Sequence, residues 1–260
     1  MYTYIQSNVW FGGMLQENLL PFLKKSNPDF IVMQEVCMPV SVSAYKPHPA
    51  LDFFDKVKQE TGLIHSVFVP EVAFKDKTHY DNTHPVEMGI AIVSRFPIKM
   101  HEYRSYIHDY QVFEWEGMND WSIMHKGTLV AEIKTPEKSM FIGTTHGVWG
   151  FDDKDNVDRD HMVDAILEAT GGKSPLLFSG DLNIDQNTVA IGRIEERLTS
   201  VFKDKLTTSF NMLHKADKGG GFATSVVDFV FASKDIKILD AYSSEENVSD
   251  HVPLVVKFEL

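Results

Sequence analysis

Side chains able to do chemistry recur in five short segments of this sequence, each set against an apolar run. Asn8 follows Tyr4-Ile5, and Gln34-Glu35 closes the run Asp29 to Met33. Thr144-Thr145-His146-Gly147 follows Met140 to Gly143, and Ser179-Gly180-Asp181-Leu182-Asn183 follows Pro175 to Phe178. Ser249-Asp250-His251 precedes Leu254-Val255-Val256. Together they supply carboxylates, carboxamides and imidazoles, groups that exchange protons and hydrogen-bond to charged oxygens. Sheet proteins project such groups into a cleft from the ends of strands. Alternation along an extended backbone predicts Asp181 and Asn183 on one side, a carboxylate and an amide converging on one point. Singly, Asp-Leu-Asn reads as a turn and Ser-Asp-His as a helix cap; the recurrence at strand ends is what reads as a site.

Other chemistries lack their residues. No His-Glu-x-x-His, Gly-x-Ser-x-Gly or paired Cys-x-x-Cys occurs, which removes zinc proteases, serine hydrolases and zinc ribbons. Gly172-Lys173-Ser174 imitates a phosphate loop, but Leu167 stands where its upstream glycine belongs, and the segment ends a helix instead of opening one. Gly219-Gly220-Gly221 reads as a turn, Cys37 as core, and the Asp-rich stretch from Asp152 to Asp160 as a solvated loop entering a helix.

The elements that must position these groups are mostly short apolar, β-branched runs: Tyr4-Ile5, Phe30 to Met33, Val67 to Val69, Gly89 to Val93, Thr128 to Ala131, Met140 to Ile142, Pro175 to Phe178, Val226 to Phe231 and Leu254 to Val256. Each is bounded by turn residues or charges and reads as a buried strand. Amphipathic spacing predicts helices over Leu15 to Lys25, Leu51 to Thr61, Asp158 to Thr170 and Thr188 to Leu198. Asn18 as N-cap of the first would leave Pro21 in a tolerated first turn. Two packed sheets flanked by helices, in a single domain over residues 1–260, is the expected architecture.

Composition narrows the function further. Hydrophobic residues make up 43% and charged residues 24%, an ordinary globular balance. The formal charge is 25 − 37 = −12, without a run of three basic residues, a poor footprint for tight binding to long nucleic acid. Scattered lysines (Lys24, Lys25, Lys75, Lys77, Lys203, Lys205) would have to converge in the fold to change that. The N-terminus lacks a signal-peptide pattern, and no apolar run approaches the roughly 18 residues that span a bilayer. With the single cysteine, this points to a cytoplasmic chain without membrane insertion, expected to be a monomer.

The chain resembles the endonuclease/exonuclease/phosphatase superfamily, the deoxyribonuclease I-like fold. The residues that carry the resemblance run from Asn8 through Asn27 to Glu35, Gly89 to Pro97, Thr145-His146-Gly147, Ser179 to Asn183 and Val227 to Phe231, ending at Ser249 to Leu254. Gly-Asp-x-Asn followed by a C-terminal Ser-Asp-His is the specific part. The resemblance implies an α/β (α+β type) four-layer sandwich, two mixed β-sheets flanked by helices. It also implies phosphoester hydrolysis dependent on Mg²⁺ or Mn²⁺.

Roles follow from that resemblance and from what the reaction needs: charge neutralisation, an activated water and stabilisation of the leaving oxygen. Glu35 matches the metal ligand, with Asn8 beside it and Asp250 completing the acidic site; oxygen ligands suit a hard cation. Asp181 would orient or deprotonate the water, and Asn183 would donate to the phosphate. His251 would contact the phosphate or act as a base, oriented by Asp228. His146 would be the second phosphate-facing imidazole, a general acid in the deoxyribonuclease I-like branch, with Glu71 to orient it. The abasic-site repair branch carries Asp at the position of Trp10 and Tyr at that of His146, so this chain sits closer to deoxyribonuclease I-like and lipid-headgroup phosphodiesterases. Trp149 and the Phe113-Glu114-Trp115 region are candidates for aromatic walls.

The expected activity is that of a phosphodiesterase on a nucleic acid, a nucleotide or a small phosphodiester, with small or short substrates favoured over long duplex DNA. The alternatives are a phosphomonoesterase or lipid-headgroup or inositol-phosphate phosphatase, and, more remotely, an inactive binding module, which should have lost site residues.

Overall fold

The structure is a computed structural model that describes residues 1–40, 49–75, 85–115, 120–150, 152–216 and 220–260. Lys77 and Gly219 lie outside the described residues. The chain begins with β1 (Tyr2–Asn8), the short turn α1 (Trp10–Gly13), α2 (Gln16–Ser26), β2 (Phe30–Pro39), α3 (Pro49–Thr61), β3 (His65–Lys75) and β4 (Val86–Ser94). It continues through β5 (Ile98–Ile107), β6 (Val112–Glu114), β7 (Lys126–Lys134), β8 (Ser139–His146), α4 (Val157–Thr170), β9 (Leu176–Asp181) and α5 (Val189–Glu195). It closes with β10 (Thr199–Ser200), α6 (Met212–Lys215), a 3₁₀ turn at Gly220–Ala223, β11 (Asp228–Ala232), β12 (Lys237–Ser243) and β13 (Leu254–Glu259).

The strands form two mixed sheets, a seven-stranded one ordered β12-β13-β1-β2-β4-β3-β6 and a six-stranded one ordered β10-β11-β9-β8-β7-β5. Their inner faces meet through Tyr4, Phe30, Val32, Ile92, Leu129, Ile142, Leu177 and Val230, all buried. Helices α2 and α3 cover the outer face of the first sheet with Leu19, Leu23, Phe53 and Val57. Helices α4 and α5 cover the second with Met162, Ile166, Ile191 and Ile194. These are the four layers that the apolar runs imply. Among the described residues, no helix is long and apolar enough to cross a membrane.

One local expectation is corrected. Asn18 does not cap α2: the helix starts earlier, with Leu15 at the cap and no side-chain cap bond. The Asn18 side chain instead donates to the Asn247 carbonyl at 2.8 Å. Pro21 therefore lies inside the helix and removes one backbone donor, tolerated because Leu19, Phe22 and Leu23 are buried on the sheet. The Asp-rich stretch is the exposed loop entering α4 that the sequence predicts, and two of its carboxylates also tie it to neighbouring groups. Asp155 accepts the Val189 and Ala190 amides at 2.9 Å, capping α5, and the wholly buried Arg159 donates to Asp152 Oδ1 at 3.1 Å and to its carbonyl at 2.6 Å.

Candidate active site

The two sheets bring their parallel strand pairs to one end of the sandwich. Parallel pairing of β1 with β2 sets Asn8 beside Gln34, and that of β8 with β9 sets His146 beside Asp181. Antiparallel pairing of β11 with β9 sets Asp228 on the other flank of Asp181. Three neighbouring strands thus present an imidazole and two carboxylates in register. Asp181 is almost wholly buried and takes a 3.0 Å hydrogen bond from Asn8 Nδ2 across the sheets.

Glu35 and Glu71 reach the site differently. Each sits at a register shift, between Met33 and Val36 on β2 and between Pro70 and Val72 on β3. Glu35 therefore does not close its strand, as the sequence predicts; it occupies a bulge at φ 61°, and β2 runs on to Pro39. A bulge re-aims one side chain without ending the pairing. Strand β4 lies between the two bulges, and its Gly89 pairs with both Val36 and Pro70. A Cβ there would lie 2.0 Å from the Val69 carbonyl oxygen, so only glycine admits this approach.

Asp181 and Asn183 also converge, but not along an extended strand. The chain turns after Asp181; Asn183 has φ 53° and its amide donates to Asp181 Oδ1 at 3.0 Å. Its side chain donates to the Gly147 carbonyl at 3.3 Å, and both residues line the cleft.

His251 is oriented by Asp228, with Nδ1 to Oδ2 at 2.7 Å, while its Nε2 lies 3.8 Å from Asp181 Oδ2. Burial alone would hold the ring neutral, but the carboxylates of Asp228 and Asp181 override it and raise His251 to about 10. Burial and the Asp228 charge push Asp181 up to about 7, opposed by His251 and by the hydrogen bonds from Asn8 and Asn183. His146 Nε2 approaches the same Asp181 oxygen from the other side, at 3.8 Å. Burial, Lys126 and then His251 hold His146 well below the usual imidazole range. Glu71 does not hydrogen-bond to His146: its Oε2 is 3.8 Å from Nδ1, and Lys126 donates to both, at 3.2 Å to Glu71 and 3.0 Å to His146. Burial pushes Glu71 up to about 7 against the pull of Lys126.

At the cleft's acidic edge, Glu35 accepts from Asn8 Nδ2 at 3.0 Å and from the Phe11 amide at 2.9 Å. Asp250 pairs with Lys215 Nζ at 2.6 Å, and the Ser249 hydroxyl ties this loop to the Asn8 carbonyl at 2.7 Å. Glu35, Asp250 and Lys215 line one cavity of about 530 Å³ with His146, Asp181, Asn183 and His251. Asp181, Asp228 and His251 form a buried group that could hold a metal ion, its ligand atoms within 4.8 Å of one another, and Glu35 and Asp250 line the same cleft.

Sequence reasoning missed several participants. Lys126 and Lys215 line the cleft, as do Trp10, Trp121, Phe210 and Phe222 beside the foreseen Trp149. Phe113 and Trp115 instead pack into a core cluster around Cys37 and Phe74. Behind the site, Gln6 donates to Asp228 Oδ1 at 3.0 Å and to Gln34 at 2.9 Å, and Gln34 donates to Thr144 at 3.1 Å, so His251 is anchored through both sheets. Period-2 polar positions within otherwise buried β1 and β2 were the available signal for this network.

Two mixed sheets between helices, with acidic and imidazole side chains where the parallel strands end, define the deoxyribonuclease I-like α/β sandwich. The chain belongs to the endonuclease/exonuclease/phosphatase family of metal-dependent phosphoester hydrolases, whose family model matches residues 5–251. Among solved structures it is similar to an endonuclease/exonuclease/phosphatase from Beutenbergia cavernae (14% identity, TM-score 0.76, covering 100% of this chain and 71% of that one). It is also similar to the human Nocturnin catalytic domain with bound sulfate anion (15%, TM-score 0.68, 99% and 93%). A third is a mannosyl-6-phosphatase from Bacteroides thetaiotaomicron (15%, TM-score 0.62, 100% of both chains). No curated protein matches the sequence.

Proposed function

We propose that this chain is a divalent-metal-dependent phosphodiesterase acting on a small or short phosphoester: a nucleotide, a short nucleic acid or a small phosphodiester. The observation that carries the reading is the placement of Asp181, held by Asn8 and flanked by His146 and His251 at 3.8 Å each. A buried carboxylate raised towards neutrality is a competent base for the attacking water. His251, cationic at neutral pH, faces the phosphoryl oxygens instead of acting as base, with Asp228 fixing its ring. Asn183 and His146 add hydrogen bonds to the phosphate from the other side.

The residues fit Mg²⁺ or Mn²⁺ through their chemistry. Glu35, Asn8 and Asp250 supply hard oxygen donors, and the ammonium of Lys215 against Asp250 supports reading this edge as one that attracts a cation. His251, held cationic between Asp228 and Asp181, has no lone pair to give a metal, which favours the Glu35 and Asp250 edge over the Asp181, Asp228 and His251 group. When bound, the ion supplies charge neutralisation at the phosphoryl and leaving oxygens.

Preference for small substrates rests on charge. Lys24, Lys25, Lys75 and Lys203 each sit against a carboxylate, Glu60, Glu246, Glu114 and Glu195 respectively, instead of forming a basic face. Duplex binding draws its affinity from neutralised phosphates. A second reading, phosphomonoester hydrolysis, is favoured by the likeness to a mannosyl-6-phosphatase and by Lys126 and Lys215, which suit a dianion. The test is a mixed panel of plasmid, single strands, nucleotides, inositol phosphates, nitrophenyl monoesters and bis-nitrophenyl phosphate. The proposal expects diester cleavage to dominate; phosphate release from monoesters alone would establish the second reading. Anisotropy of a labelled duplex with chelator present should show weak binding; sub-micromolar affinity near physiological salt would overturn the small-substrate preference.

A further inference from the structure

Lys126 opens β7, where a lysine would ordinarily be solvated, yet it is almost wholly buried, 2% exposed. Its ammonium lies between Glu71 Oε2 at 3.2 Å and His146 Nδ1 at 3.0 Å, and it reaches the wall of the cleft. An ammonium has three N–H donors and no lone pair. The ring nitrogen it touches must therefore accept, which leaves the imidazole proton on Nε2, the atom that faces Asp181 and the cleft. The Glu71 carboxylate neutralises the lysine from behind and fixes its head group. On the far side of the site His251 is held the opposite way: its Nδ1 faces the Asp228 carboxylate. One imidazole is thus braced by a cation and the other by an anion.

We propose that Lys126 is a positioning residue that locks His146 as a neutral ring with its proton on Nε2, so that His146 serves as a hydrogen-bond donor to a phosphoryl oxygen. This rests on the hydrolytic reading of the site and deepens it. It replaces the general-acid role implied by the family resemblance: His146 keeps its proton throughout, and no proton passes through Lys126. The requirement is geometric, because an N–H on Nδ1 would point at the lysine's own N–H.

Two measurements separate this inference from the function it rests on. The first needs no substrate: a long-range ¹H–¹⁵N spectrum of ¹⁵N-histidine-labelled protein, with His146 assigned by its loss in His146→Ala. The expected pattern from pH 6 to 8 is a neutral ring protonated on Nε2; an Nδ1–H ring or an imidazolium overturns the proposal even if the enzyme hydrolyses phosphoesters. The second is kinetic. Lys126→Met, or Lys126→Met with Glu71→Gln if the buried carboxylate prevents folding, should lower kcat by roughly 10- to 100-fold, the scale on which partners that orient an imidazole act. KM should hold within about threefold, and the loss should vanish in a His146→Ala background, as expected of residues acting as one unit. Raised KM with kcat preserved, or losses that multiply in the double variant, would show that Lys126 binds the phosphate on its own account.

Discussion

Nδ1 of His251 lies 2.7 Å from Oδ2 of Asp228, and the other oxygen of that carboxylate takes a hydrogen bond from Gln6 at 3.0 Å. The pair is buried, so its geometry also sets which nitrogen of His251 carries a proton. In Asp228→Asn, Gln6 would hold the amide oxygen and turn the amide N–H₂ towards His251. That forces the ring to accept at Nδ1 and removes its positive charge. Turnover should fall by roughly 10² or more, in line with loss of a positioned charge that stabilises the phosphoryl oxygens. Steady-state kinetics alongside a melting curve check this; unchanged turnover in a folded variant would remove Asp228 from the site.

Glu35→Gln and Asp181→Asn should differ in kind. Glu35→Gln deletes a ligand charge and should raise the Mg²⁺ concentration for half-maximal activity, while leaving turnover at saturation largely intact. Asp181→Asn should lower turnover by roughly 10² at any metal concentration, because the positioned base is gone. Metal titrations of both variants decide it. Full rescue of Asp181→Asn by excess metal would mean that Asp181 serves the ion and not the water.

Much of this arrangement is legible in the sequence because strand ends are local features. Asn8, His146, Asp181 and Asp250 each adjoin a short apolar run whose length and β-branching announce a strand. Strands β5 and β12 are not legible in that way: they are edge strands, and their largely exposed side chains replace the apolar run with residues such as Lys99, His101, Arg104 and Asp240. Glu35 and Glu71 are recognisable as acids but not as bulge residues, since a bulge is a mismatch between two strands. Gly89 inside an apolar run was the local hint of it. Lys126 reads as an ordinary strand-opening lysine because its burial depends on Glu71 and His146, which lie 55 and 20 residues away.

The stability that Asp181, Glu71 and His251 contribute to the metal-free protein should fall with rising pH, while His146, buried neutral and held well below its ordinary value of 6.5, works the other way only below that value. Asp181 and Glu71 are raised from 3.8 and 4.5 to about 7, and His251 from 6.5 to about 10. A group whose folded pKa is raised stabilises fully below its unfolded value and loses that contribution as pH climbs through the folded one. The carboxyls thus act between about pH 4 and 7, and His251 between about 6.5 and 10. Added Mg²⁺ should oppose the fall, since its ligands must be deprotonated. Melting temperatures in chelator and in Mg²⁺ should diverge from pH 5 to 8; parallel curves would contradict the raised carboxyls or the metal's place beside them.

Gly89→Ala should damage both bulges at once. Its Cβ would meet the Val69 carbonyl oxygen at 2.0 Å, so β3 or β4 must shift. The expected cost is about 1–3 kcal/mol, as for other overpacked sites. Displacing Glu35 should also raise the Mg²⁺ concentration for half-maximal activity, as in Glu35→Gln. Denaturant melts with metal titrations of the same preparation test this; loss of stability with an unchanged metal requirement would separate Gly89 from the positioning of Glu35.

The most direct test of the account is hydrolysis of bis-nitrophenyl phosphate by metal-stripped protein, with Mg²⁺ or Mn²⁺ then added back to wild type and to Asp181→Asn. The account predicts no turnover in chelator, turnover on adding either ion to wild type, and a rate lower by roughly 10² in the variant. Turnover that survives chelation, or equal rates in the two proteins, would contradict it.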